Sequence, residues 1–209
     1  MTITAAFIGP AGSGKTTLIS SYSEWLRRQL FMRVAIVNLD PGVEETIYKP
    51  LFDIRSIFTL KTIMKKYNLG PNGAFLKSSE LLIENLDLIF SSEPFNDLDE
   101  WDIVLIDTPG QMETFIFRPA SSVFFEKLNK ITNIVLVFVL DASAMKTIAD
   151  AITLWFLSIL IQAKTGLTTV PVINKIDIAE NVELTRMIVE EPEKLMDLAK
   201  KQLSEGFIS

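Results

Sequence analysis

An α/β fold, with a mainly parallel sheet layered between helices on both faces, is what this 209-residue sequence predicts. Three observations carry the prediction. Short strand-like apolar runs alternate with longer helical ones. The runs at 102–106 and 133–140 are almost continuously apolar, as in strands buried on both faces. The first run ends in a glycine-rich turn that opens a helix. At ~100–200 residues per domain the length fits one domain, large enough to bury a core without disulfides or structural metal.

In chain order, residues 2–8 read as a strand, 15–30 as a helix and 33–38 as a second strand. Residues 59–68 look helical, and Leu69-Gly70-Pro71-Asn72-Gly73 then interrupts the chain with turn residues. A helix is expected over 76–90, with Leu81, Leu82, Leu86 and Ile89 on its apolar side, followed by an acidic loop carrying Glu93, Asp97, Asp99 and Glu100. Strands at 102–106 and 133–140, a helix at 146–164, a strand at 169–173 and a helix at 192–203 complete the reading. The whole, residues 1–209, reads as one domain with a helical insertion around 56–92. Ligands in such folds sit at the carboxyl ends of the strands. The segments after residues 8, 38, 106 and 173 therefore share one rim.

Composition removes several chemistries. There is no cysteine and no histidine, so thiolate or imidazole metal sites, cysteine nucleophiles and Ser-His-Asp catalysis are excluded. A metal would need oxygen ligands, which favours magnesium or calcium. With 26 acidic against 20 basic residues and a net charge of −6, no direct nucleic-acid or membrane partner is expected. The start lacks a charged leader pattern, and the apolar stretches at 134–140 and 152–161 fall short of the ~20 residues of a spanning helix. A cytoplasmic location is the expectation.

Gly9-Pro10-Ala11-Gly12-Ser13-Gly14-Lys15-Thr16 matches G-x-x-x-x-G-K-[ST] in full, between a strand and a helix. Glycines let successive backbone N–H groups point at phosphate oxygens, and the helix N-terminus adds positive potential. Lys15 is placed to reach the β- and γ-phosphates and Thr16 to give its hydroxyl to Mg2+. Thr17, next in the chain, is counted with the nucleotide-binding residues. The alternative is a ligand-free strand–helix turn. The strand at 102–106 runs into Asp107-Thr108-Pro109-Gly110-Gln111. A carboxylate there can hold Mg2+ directly or through water. The Gly110 N–H can contact a γ-phosphate and Gln111 can orient a water. Against this, Asp107 could be a helix cap before a plain turn. Asn174-Lys175-Ile176-Asp177 is an N-K-x-D pattern after the last strand. Asp177 can accept both N1–H and the 2-amine of guanine, and adenine offers neither. Lys175 would lie along the base, with Asn174 tying the loop together.

With these three motifs in this order the chain resembles a P-loop GTPase. Gly70-Pro71-Asn72, together with Asn38-Leu39-Asp40-Pro41-Gly42 and Asp53-Ile54-Arg55, narrows the resemblance to the GPN-loop GTPases of archaea and eukaryotes, over residues 4–177. It implies a P-loop NTPase three-layer sandwich that hydrolyses GTP to GDP and phosphate with Mg2+. It further implies a homodimer or heterodimer acting as a nucleotide-dependent switch or assembly factor, in which the Gly-Pro-Asn loop reaches the partner's phosphates. On that basis Asn72 acts in trans, Asp40 and Gln111 place the water, and Lys15 completes the catalytic set. Eukaryotic members are linked to RNA polymerase assembly and nuclear import, which suggests a protein client.

Other readings stand beside these. Gly70-Pro71-Asn72-Gly73 taken alone is a β-turn between helices, and Asp40-Pro41-Gly42 a strand-end turn. Arg55 is expected to pair with Asp53 rather than assist phosphoryl transfer. The helix with Trp155, Phe156, Leu157, Ile159, Leu160 and Ile161 is either a core helix or in part a dimer or client surface. A P-loop small-molecule kinase would also use Lys15 and Asp107, but the sequence has no Arg-rich lid. A GTP-gated assembly factor with little turnover is the third possibility. No S-A-K-like guanine-supporting loop follows Asp177, and 206–209 reads as the start of a strand. The expectation is a C-terminally incomplete chain or a shortened member of the family.

Overall fold

Ile3–Ile8 forms β1, buried from Thr4 onward and paired in parallel on both sides, with Ile103–Asp107 and with Asn133–Asp141. The computed structural model describes residues 2–206, with side chains through residue 201. After β1 come α1 (Lys15–Gln29), β2 (Val34–Asn38), the two-residue β3 (Phe52–Asp53), α2 (Leu60–Tyr67), α3 (Pro71–Glu84) and α4 (Leu86–Phe90). Then follow β4 (Ile103–Asp107), α5 (Met112–Ile116), α6 (Pro119–Leu128), β5 (Asn133–Asp141), α7 (Ile148–Thr165), β6 (Thr169–Asn174), α8 (Val182–Glu190) and α9 (Pro192–Gly206). The six strands form one sheet in the order β3-β2-β4-β1-β5-β6, and each pairing is parallel.

Alternation along β1 divides the core. Ala5 and Phe7 face the side covered by Ile19 and Leu26 of α1. Ala6 and Ile8 face the larger side, built from α2 to α9. A two-residue period on a sheet covered on both faces produces this division. On the larger side Phe90, Phe95, Phe124 and Phe125 meet with ring centroids 5.1–6.4 Å apart, tilted or edge-to-face, and Phe124 is fully buried. The register sets Asp107 opposite both Phe7 and Asn38. The rim of the sheet thus brings the ends of β1, β2 and β4 level.

The Gly-Pro-Asn-Gly stretch departs from the expected turn. Asn68 closes α2 in the left-handed region, and α3 then starts at Pro71 with Gly70 as its cap. Proline at the first helical position loses no helical hydrogen bond and arrives with a helical φ, so Gly70-Pro71-Asn72 is a helix entry. The helix expected over 76–90 is two helices, broken at Asn85. Leu82, Leu86 and Ile89 are buried, with Leu81 packed against them. Two short helices, α5 and α6, lie where no helix was expected.

α7 is anchored by a reciprocal cap: the Thr147 N–H donates to Asp150 Oδ2 (2.8 Å) and the Asp150 N–H to Thr147 Oγ1 (3.1 Å). Its 18 residues at a mean hydropathy of 1.3 are, by length and composition alone, apolar enough to cross a membrane, unlike the run 152–161 by itself. In this fold it packs against β6, α8 and α9. Ala151, Ser158 and Ile161 are buried, while Phe156, Ile159 and Leu160 are about half exposed, at 49%, 47% and 53%. One side of the helix is therefore core and the other is open surface. Of the strand start read at 206–209, Gly206 ends α9 and residues 207–209 lie outside the described residues.

Truncating Phe124 removes the ring shared by the aromatic cluster. Phe124→Ala should cost about 3–5 kcal/mol in urea unfolding, whereas Phe31→Ala, at 86% exposure, should change stability by no more than about 0.5 kcal/mol. Equal effects would place the core elsewhere.

Candidate functional site

The loop after β1 folds back over the sheet because two of its residues have no side chain. Gly9 has φ 152°, and a Cβ there would stand 2.5 Å from the Val139 carbonyl oxygen of β5. Gly14 has φ 92°, and its Cβ would meet the Asn174 amide at 2.4 Å. Both positions need glycine, for backbone conformation as well as close approach. Lys15 opens α1 and is buried. Its Nζ donates to the carbonyls of Gly9 (2.8 Å) and Pro10 (3.1 Å), so the amine holds the loop from inside. Burial pulls its pKa below the ordinary lysine value, against the opposing charges of Asp107, Asp40 and Glu113.

Beside it, Asp107 ends β4 and is buried. Its Oδ2 accepts the hydroxyls of Thr16 (2.8 Å) and Tyr48 (2.7 Å). Its Oδ1 is buried with no hydrogen-bond partner. Burial pushes the carboxyl above the usual carboxylate range, and the Tyr48 and Thr16 bonds and Lys15 only partly offset it. No group of three or more acidic side chains able to cage a metal occurs among the described residues. Mg2+ commonly takes one or two protein oxygens and completes its shell with phosphates and water. A buried carboxylate oxygen without a partner, beside a threonine hydroxyl, fits that demand.

The loops after β2 and β4 are tied by one carboxylate. Asp40 Oδ1 accepts the Gly42 N–H (2.8 Å) and Oδ2 accepts the Gly110 N–H (3.1 Å). Burial pushes the Asp40 carboxyl up, against those two bonds and the charges of Lys15 and Arg55. Lys15, Thr16, Thr17, Asp40, Gly110 and Gln111 line a cleft of about 500 Å³, and Phe75 of α3 closes one side. Asn72 is exposed and is not among the lining residues. Arg55 does pair with Asp53, its Nε donating to both carboxylate oxygens at 2.9 and 3.0 Å. Burial would raise Asp53, but the bonds from Arg55 and Asn38 outweigh it and hold the carboxyl below its usual range.

The last loop docks on the first. Asn174 Nδ2 donates to Ser13 O (2.9 Å), and Lys175 Nζ to Gly12 O (2.6 Å) and Asp141 Oδ2 (2.6 Å). Lys175 takes the left-handed conformation, φ 61°, that turns the chain there. Asp177 is exposed two residues on, in a short 3-10 turn. Three site residues escaped sequence reasoning: Tyr48, Phe75 and Asp141. Each belongs to no motif, although Asp141 at the end of an apolar strand carries the same positional signal that found Asp107.

A family model described as "Conserved hypothetical ATP binding protein" matches residues 7–206. The chain is 39% identical over 184 residues to a GPN-loop GTPase of Pyrococcus abyssi, spanning 86% of this chain and 70% of that protein. It is 30% identical over 202 residues to GPN-loop GTPase 3 of Dictyostelium discoideum, spanning 95% of this chain and 67% of that one. Against GPN-loop GTPase 1 of the same organism it is 32% identical over 177 residues, 83% of this chain but only 43% of the relative. The crystal structure of the Pyrococcus abyssi GTPase in apo form superposes with a TM-score of 0.78 at 36% identity, covering 88% of this chain and 71% of that one.

The Arg55–Asp53 pair yields a prediction with a definite sign. A carboxyl held below its unfolded-state pKa stabilises the fold above that value and loses the contribution as pH falls through the folded one. Arg55→Ala should cost roughly 1.5–3 kcal/mol near pH 7, and the gap from wild type should narrow as pH drops below ~4. Urea unfolding at both pH values checks it; a gap that does not change with pH would assign the effect to packing.

Proposed function

This chain belongs to the GPN-loop GTPase family, and on that premise we propose that it acts in the cytoplasm as a Mg2+-dependent enzyme hydrolysing GTP to GDP and phosphate. The observation that carries the reading is the docking of Asn174 and Lys175 on the carbonyls of Ser13 and Gly12. That contact sets the loop assigned here to base reading directly against the glycine-rich loop assigned to the phosphates.

The groups have definite tasks. Phosphate oxygens take the N–H groups at the start of α1, and Lys15 exchanges the Gly9 and Pro10 carbonyls for phosphate charge. Thr16 and Asp107 would hold Mg2+, which supplies neutralisation of the β- and γ-phosphates. The Gly110 N–H is engaged by Asp40, so a γ-phosphate that claims this donor releases the Asp40 carboxylate beside it. Asp40 and Gln111 then orient the attacking water. Asp177 selects guanine by accepting two N–H bonds from its edge, which favours GTP over the ATP of the family model's description. A small-molecule kinase gains no support, because no arginine lines the cleft.

Asn72 is exposed and does not line its own chain's cleft, although Phe75 of the same helix does, which leaves its side chain free to serve a partner's phosphates in a homodimer. The half-exposed Phe156, Ile159 and Leu160 of α7 favour a second reading, a GTP-gated assembly factor that binds a protein client such as an RNA polymerase subunit with little turnover. Phosphate release and a pull-down in the two nucleotide states separate the two.

Asp177→Asn should move base preference from guanine toward xanthine, because an amide offers one acceptor and one donor. The loss for GTP should be roughly 1.5–3 kcal/mol, about ten- to hundredfold or more in affinity. Competition binding among GTP, ATP and xanthosine triphosphate checks it, and wild-type GTP affinity in the variant would remove Asp177 from base reading. Specific activity should rise with protein concentration through the dimer dissociation range if Asn72 works in trans. A constant value across a dilution series that demonstrably dissociates the dimer contradicts that arrangement.

A further inference from the structure

We infer that Tyr48 is a positioning residue for the metal corner of the site: its hydroxyl fixes the Asp107 carboxylate so that one oxygen is held and the other stays available to the Mg2+ shell. The inference rests on the GTPase reading above and adds a residue to it.

Tyr48 lies in the connection between β2 and β3, is 8% exposed, and packs its ring in the smaller core with Ile19, Val34 and Ile36. A phenylalanine would serve that packing as well, and a buried hydroxyl needs a partner to be tolerated. The partner here is Asp107 Oδ2 at 2.7 Å, the same oxygen that accepts Thr16 at 2.8 Å. Two donors converge on Oδ2 while Oδ1 has none. A carboxyl group turns about one bond, so two donors on one oxygen fix where the other points. The same bond ties the connection that begins at Asp40 to the metal corner, and Asp40 in turn holds the Gly110 N–H. Groups that orient a metal's ligands without touching the metal typically contribute 10–100-fold to metal affinity or activity.

The test reads metal dependence in the full chain through fluorescently labelled GDP. Mg2+ should slow its release, and in Tyr48→Phe the Mg2+ concentration for half-maximal slowing should rise about tenfold or more. Affinity for labelled GDP in EDTA and the far-UV circular dichroism spectrum should match wild type, showing an intact fold and phosphate loop. Tyr48→Leu, which also removes the ring, should show a shift of similar size if the hydroxyl is what matters. An unchanged Mg2+ midpoint in Tyr48→Phe overturns the proposal, as does a shift seen only in Tyr48→Leu. Wild-type protein that retains GDP equally well with and without Mg2+ overturns the metal-assisted reading itself, and Tyr48's role with it.

Discussion

At the end of β4 the Asp107 carboxylate takes two hydroxyls on one oxygen and none on the other, and several parts of the chain converge on it. Thr16 brings the start of α1 to it. Tyr48 brings the connection between β2 and β3. Lys15 is close enough for its charge to offset part of the burial cost. The neighbouring strands fix its height, since Phe7 and Asn38 are its register partners. A buried carboxylate this poorly compensated is unfavourable for a fold considered alone. It is understandable under the proposed function, in which a cation and a polyphosphate would bring the missing charge to the site.

The loops around that carboxylate are held by bonds that a phosphate ligand would have to exchange. Lys15 donates to the carbonyls of its own loop, and Asp40 accepts the Gly110 N–H. A phosphate could take over both donors, giving Lys15 an ion pair in place of neutral carbonyls and giving the Gly110 N–H a phosphate oxygen in place of the Asp40 carboxylate. In the proposed function a nucleotide would act first on the two loops that carry Asp40 and Gln111, because the Asp40 carboxylate bridges them through the Gly42 and Gly110 N–H groups.

Much of this was legible in the sequence. The strands at 102–106 and 133–140 announced themselves because a strand covered on both faces is apolar throughout, and the phosphate loop because its glycines, Lys15 and Thr16 are contiguous. The Asp53–Arg55 pairing was also readable, two residues apart with opposite charge. Gly70-Pro71-Asn72-Gly73 misled because the residues that make turns also begin helices, and only the downstream packing of Ala74, Ser78 and Leu82 decides between them. Tyr48 and Phe75 gave no signal at all. Each is a single aromatic residue whose partner is set by the path of a connection, not by spacing. The two-residue β3 and the five-residue α5 are too short to show a period.

If the cleft turns over GTP through the Lys15 cradle, hydrolysis requires that amine. Phosphate release from GTP in the presence of Mg2+ should be compared between wild type and Lys15→Ala at equal concentration. Wild type should show Mg2+-dependent release, and the variant, whose phosphate cradle has lost its cation, release at background. Release by Lys15→Ala at the wild-type rate would contradict that requirement.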